Sequence, residues 1–167
     1  SDADITNIPT CEFNGAPIYT TRASITYNSA GLPIRISDQD GALETFAYDD
    51  MGNLIAYQNA NGRNFGYGYD NGGRLIRITS ATGIKLVMRY NPLGKLTGIC
   101  QTRTSEPDDY ASCESAGGVI EAYTYDTLGR LTNRTSGNIS RNFAYNAESQ
   151  LTRMGDVNFA YIPNLGL

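Results

Sequence analysis

Along this chain short runs alternate apolar with polar or small residues, and a cluster of turn-forming residues interrupts the alternation about every ten positions. Ile25, Phe46, Tyr67, Met88, Tyr123, Phe143 and Phe159 each stand two residues before a tyrosine: Tyr27, Tyr48, Tyr69, Tyr90, Tyr125, Tyr145 and a degenerate seventh, Tyr161. The residue between is mostly small or polar, as at Thr26, Ala47, Gly68, Thr124, Ala144 and Ala160. A period of two puts each pair on one face of a strand. On the run that follows each turn, Pro33, Ile55, Ile76, Thr97, Thr132 and Thr152 alternate with Leu54, Leu75, Leu96, Leu131 and Leu151. Both faces are therefore partly apolar.

The tyrosines recur at spacings of 21, 21, 21, 35 and 20 from Tyr27 to Tyr145. Behind each comes a four-residue unit: Asn28-Ser29-Ala30-Gly31, Asp49-Asp50-Met51-Gly52, Asp70-Asn71-Gly72-Gly73, Asn91-Pro92-Leu93-Gly94, Asp126-Thr127-Leu128-Gly129 and Asn146-Ala147-Glu148-Ser149. These read as type I turns, with an Asp or Asn that bonds its own backbone two residues on and, in five of six, a glycine at the fourth place: Gly31, Gly52, Gly73, Gly94 and Gly129. A second turn is marked by Gly41, Gly62, Gly83 and Gly118, seven residues before the next tyrosine, twice as Asp-Gly or Asn-Gly. Each repeat is strand, turn, strand, turn, with strands of about six residues. The fold class is all-β: antiparallel hairpin repeats in a curved or spiralling sheet, each burying against the next the face it cannot bury alone. Residues 25–167 form that repeat domain. Residues 1–24 fit the repeat poorly, although "APIYTTRASITY" reads as strand, and stand as an N-terminal segment that caps the sheet or is exchanged between copies.

The units "YDDMGNL", "YDNGGRL" and "YDTLGRL", with a glycine seven residues before the tyrosine, resemble the YD repeats of the Rhs family over residues 25–151. The resemblance implies an antiparallel sheet that spirals into a hollow β-shell, as in bacterial Rhs and polymorphic toxins, insecticidal toxin complexes and teneurins. It also implies an exported, structural role. The Asp-Pro-Gly motifs of that family's core end are not in the chain.

The 35-residue spacing exceeds the norm by 14, the length of the segment from Cys100 to Cys113. Taking residues 100–113 as an insertion restores the register and brings Cys100 and Cys113 together at the base of an exposed loop, within reach of a disulfide. Two reduced, half-buried thiols are the alternative. A disulfide would place the protein outside the cytoplasm. Cys11 is left over, as a buried thiol or an intermolecular link.

Charge and composition narrow the partners. The 167 residues suit one domain, and the net charge of -4 argues against nucleic acid. No apolar run approaches a bilayer span, so no membrane insertion is expected. The chain holds no histidine, which removes the usual general base and imidazole ligand; no cofactor, metal or catalytic residue is expected. The acidic clusters at residues 37–41 and 107–109 read as turn chemistry and solvated loop before calcium ligands. Asn133 and Asn138 match glycosylation acceptors. The function expected is a non-enzymatic structural module of an exported bacterial protein, on the cell surface or outside it. It forms part of a shell or a self-assembled polymer, and its partners are copies of itself or flanking repeats. A module that binds a glycan or cell-surface receptor is the alternative.

Overall fold

The computed structural model describes residues 12–13, 16–17, 23–38, 40–41, 43–106 and 108–161. The expectation for residues 1–24 falls mostly outside these. The chain divides into two compact units, Ser1–Gly83 and Ile84–Leu167.

In the first unit, β1 (Glu12–Phe13) pairs with β2 (Ala16–Pro17) as a separate antiparallel ribbon. Then β3 (Ala23–Tyr27), β4 (Pro33–Asp38), β5 (Leu43–Tyr48), β6 (Leu54–Gln58), β7 (Asn64–Tyr69) and β8 (Leu75–Thr79) pair antiparallel in chain order. In the second unit, β9 (Ile84–Tyr90), β10 (Leu96–Arg103), β11 (Val119–Tyr125), β12 (Leu131–Ser136), β13 (Ile139–Tyr145), β14 (Leu151–Met154) and β15 (Val157–Asn158) do the same, and a six-residue helix, α1 (Tyr110–Ser115), joins β10 to β11. The chain is all-β, and both units are single antiparallel layers built from consecutive hairpins.

Register departs from strict alternation at one recurring place. Tyr27 opposes Pro33 while Thr26 opposes Arg35, so Ile34 is left over; the same one-residue slip falls at Tyr48, Tyr69, Tyr125 and Tyr145. Each is a β-bulge, which locally bends and twists the strand that carries it. Pro33 does not belong to the set of Ile55 and Ile76, since it stands six residues after its tyrosine and they stand seven after theirs. Pro33 occupies the position of Leu54 and Leu75, opposite a tyrosine, and Ile34 is the counterpart of Ile55.

Fully buried apolar side chains are few. Among the described residues they are Val87, Cys100, Tyr110 and Cys113, all in the second unit and clustered where the segment that joins β10 to β11 packs on the sheet. Elsewhere apolar residues are half-buried and meet their cross-strand neighbours, as in the row Phe46, Tyr57 and Phe65, whose rings stack at 5.2 and 5.8 Å. Such pairs contribute about 0.2–1 kcal/mol each over alanine.

Candidate assembly surface

The residues that recur in the sequence meet at the hairpin corners. At Asp70 a carboxylate oxygen accepts the amides of Gly72 and Arg74 at 2.9 and 3.0 Å, while the backbone closes with Gly73 N–H to Asp70 carbonyl and Asp70 N–H to Arg74 carbonyl, both 2.9 Å. The same four bonds form at Asn28, Asp49, Asn91 and Asp126. A short acceptor on the first residue is needed because two amides point inward with no ladder partner. The fourth residue lies in the left-handed region, with φ between 75° and 83° at Gly31, Gly52, Gly73, Gly94 and Gly129. Ser149 takes the same place with φ 64°, the one non-glycine residue with positive φ among those described.

The Asn59 turn, read from its Asn61-Gly62 pair as a tight hairpin, uses this same corner chemistry: Asn59 accepts from Asn61 and Arg63, and Gly62 N–H bonds the Asn59 carbonyl. Two-residue turns occur later, at Gly137-Asn138 and Gly155-Asp156, with positive φ on the glycine alone. That is the pattern of a II′ turn.

The tyrosines join one corner to the one before. The hydroxyl of Tyr48 donates to the carbonyl of Pro33, that of Tyr69 to Leu54, Tyr125 to Leu96, Tyr145 to Leu131 and Tyr161 to Leu151, all at 2.7–3.0 Å. Each acceptor is the residue opposite the preceding tyrosine, at the bulge. The phenol reaches that carbonyl on the adjacent strand, which explains why phenylalanine never takes the anchor position. Side chains link corners as well. Arg130 bonds Asp126 at 2.7 Å within its own corner, the Asn146 carbonyl and Ser149 Oγ at 3.2 and 3.1 Å in the next, and lies 4.8 Å over the Tyr145 ring. The backbone amide of Arg74 and that of Arg130 hold the carboxyls of Asp70 and Asp126 below the usual range, each aided by the arginine side chain; Asn53 does so for Asp49. At the turn tips Met51, Leu93 and Leu128 are about 70% exposed.

The segment between β10 and β11 differs from an exposed loop closed at its base. Strand β10 continues through Cys100 to Arg103, paired with Val87 to Ile84 of β9, so the insertion leaves the sheet three residues later than cysteine spacing suggests. Cys100 is wholly buried within the strand and bonded to Cys113 of α1, with Cα atoms 6.1 Å apart. The Asp109 carboxylate caps the helix by accepting from Ser112 N–H at 2.8 Å. Helix α1 lies on the sheet with the Tyr110 ring over Gly98, the Arg89 guanidinium 4.3 Å from that ring, and Arg89 bonded to Glu114 at 3.0 Å. Burial pushes the Tyr110 phenol up. Lys85 is buried on β9 and donates to the Glu106 carbonyl at 2.6 Å and to the Asp108 carboxylate; the Glu106 carboxylate accepts from Thr102 and from Arg103 N–H. The turn glycine before β11 is Gly117, with φ 77°; Gly118 serves close packing instead, since a Cβ there would lie 2.6 Å from the Gln101 carbonyl and 2.8 Å from Cys113 Sγ.

Among the described residues no group of three His, Cys, Asp or Glu side chains comes together as a metal site. No described helix is long and apolar enough to cross a membrane, which does not bear on strands.

Residues 27–64 and 52–85 match the RHS Repeat family. Residues 27–85 carry RHS repeats. No curated protein matches the sequence. Among solved structures, this chain is similar to one in TcdB2-TccC3-Cdc42, with TM-score 0.63 and 18% identity over 80% of this chain. It is also similar to the Tc holotoxin pore of Photorhabdus luminescens, at 0.62 and 18% over 80%, and to TcdB2-TccC3 without its hypervariable C-terminal region, at 0.63 and 18% over 80%. It spans about 7% of the length of each of those chains. At that identity the likeness is one of fold, and the antiparallel hairpin sheet is what is shared.

Proposed function

We propose that this chain is a non-enzymatic structural module of an exported bacterial protein, a stretch of RHS sheet that works as wall in a β-shell or in an extracellular assembly of copies. The observation that carries the reading is the tyrosine clip. Each corner is completed by the hydroxyl of the following repeat, so the unit of stability is the contact between repeats and the design extends with every copy added. The scarcity of fully buried side chains outside the insertion supports the same reading, because a one-layer sheet must cover its apolar face against something. Its partners are therefore further RHS repeats, from flanking chain or from other copies. The Cys100–Cys113 disulfide supports export, since such bonds persist where the surroundings are oxidising.

Glycan recognition by a tyrosine-rich face draws less support, because the faces of Phe46, Tyr57 and Phe65 are turned toward one another. Light scattering over a range of concentrations, with electron microscopy of the same samples, tests the proposal. Concentration-dependent association, into closed or extended sheet particles, is the expected result. A monomer of 18.1 kDa that stays dispersed and fully stable at high concentration would count against it.

A further inference from the structure

The sheet of the Ser1–Gly83 unit has two unlike faces. The register from β3 to β8 puts Ile36, Phe46, Tyr57, Phe65, Tyr67 and Ile78 on one side, all of them half-buried. On the other stand Thr26, Arg35, Thr45, Gln58, Asn64 and Arg77. An antiparallel sheet patterned in this way keeps its polar side in water and covers the apolar one. Among the described residues nothing covers it: no second layer packs on β3 to β8, and the one described helix, α1, packs on β9 and β10.

Charge, shape and area together select the occupant. The only charged residues these strands place on the apolar face, Asp38 and Glu44, flank the turn between β4 and β5, where Asp38 accepts from Asp40 N–H at 3.0 Å and Glu44 from the Tyr57 hydroxyl at 2.8 Å. No unanswered charge is left for a partner of opposite sign to meet. The row of Phe46, Tyr57 and Phe65 crosses the inner strands β5 to β7, and because its rings stack on one another at 5.2 and 5.8 Å, it turns outward a ridge of ring edges. When two copies of such a sheet pack face to face about a two-fold axis, each ridge enters the groove beside the other. Six strands about 4.8 Å apart, with about five residues each at about 3.4 Å, outline a face of about 500 Å². Two such faces pressed together remove about 1,000 Å² from water, the area at which a specific interface begins.

We propose that this face joins two copies of the chain, sheet on sheet, with the Phe46, Tyr57 and Phe65 rows of both at the centre of the contact. The proposal names a surface for the association between copies argued above, and rests on that reading. It leaves the polar face, with Arg35 and Arg77, in water.

Hydroxyl-radical footprinting of the full chain tests it, read residue by residue by mass spectrometry at concentrations on both sides of the association seen in light scattering. Phe46, Phe65 and Tyr67 are expected to oxidise several-fold less in the associated sample than in the dilute one, while Met51, exposed at a turn tip, oxidises equally in both. Phe65→Asp weakens association at least roughly thirtyfold, the loss of a central aromatic anchor, and Thr45→Asp on the polar face leaves it within about threefold. Association with an unchanged footprint at these rings would overturn the proposal and leave the assembly reading standing. Protection of the rings that persists in a monomer at every dilution would overturn it as well, in favour of cover from elsewhere in the same chain. A monomer whose rings oxidise freely at every concentration would overturn both readings.

Discussion

Strand β7 contains its own control for the clip. Tyr69 and Tyr67 lie two residues apart, both half-buried, yet the Tyr69 hydroxyl donates to the Leu54 carbonyl at 2.9 Å while that of Tyr67 has no partner among the described residues. Replacing Tyr69 by phenylalanine removes one oxygen and leaves the ring in place. A hydrogen bond of this kind contributes about 0.5–1.5 kcal/mol net, and a carbonyl left dry would cost about 1–3 kcal/mol, but water can reach a half-buried corner, so about 1 kcal/mol is the expected loss. For a chain of this size that corresponds to a fall of roughly 2–4 °C in melting temperature. Tyr67→Phe should stay within about 0.5 kcal/mol of the parent. Urea unfolding followed by circular dichroism measures both, and hydrogen exchange locates the change at the corner of Leu54. Equal losses for the two variants would refute the reasoning, because the ring and not the hydroxyl would then account for the recurrence of tyrosine.

Other variants address other parts of the structure. Cys100→Ser with Cys113→Ser should cost about 3 kcal/mol, the closure entropy of a loop of this length, read as a lower urea midpoint and faster exchange in β10 and α1. Gly98→Ala places a methyl group in the Tyr110 ring and should cost about 1–3 kcal/mol while lifting α1 from the sheet, seen as deprotection of its amides. Ser149→Gly should stabilise the chain by about 0.5–1 kcal/mol, because relief of the left-handed conformation outweighs the bond from Arg130; an unchanged midpoint would show that the corner relaxes instead. The hydrogen bond from Arg134 holds the Glu121 carboxyl at about 2 against an ordinary 4.5. Folding therefore favours its ionised form, and the stability this adds is complete above pH 4.5 and drains as pH falls toward 2. The gap between the parent and Glu121→Gln should close over that window in acid titrations.

Strands and corners were legible because their chemistry is local. An Asp or Asn followed three residues later by glycine states a type I corner by itself, and the structure places positive φ at each such glycine from Gly31 to Gly129. The bulge was not legible. One extra residue per hairpin leaves no mark in composition, since Ile34, Ile55 and Ile76 are as apolar as their neighbours. Pro33 was set one place out for a different reason: counted from its tyrosine it aligns with Leu54 and Leu75. The clip was half legible: the recurrence of tyrosine pointed to packing, but the donor role needs a carbonyl at the far corner of the adjacent strand, which only the pairing register identifies. The insertion was the hardest part. Its helix is six residues long, too short for a helical period, and Cys100 belongs to a strand that alternates normally through Thr102. The structure shows what the reading of residues 107–109 as solvated loop passed over: Asp109 caps the helix, and the lack of a Cβ at Gly98 and Gly118 makes room for Tyr110 and the disulfide.

Two modes of cohesion thus operate on one kind of sheet. In the Ser1–Gly83 unit no described side chain is fully buried, so each hairpin is held by its ladder, its cross-strand stacks and its clip to a neighbour, all of which act between adjacent repeats. Such a structure opens from its ends, with local free energies set by nearest neighbours. In the Ile84–Leu167 unit the disulfide, Tyr110, Arg89 and the buried Lys85 tie residues 25 or fewer positions apart into a small true core over β9 and β10. A core of that kind fixes one stretch of sheet against fraying from either side. Strands β9 and β10 should accordingly be the last to exchange their amides, and reducing the disulfide should lower them to the level of the other hairpins, because without α1 the sheet there is held only as it is everywhere else.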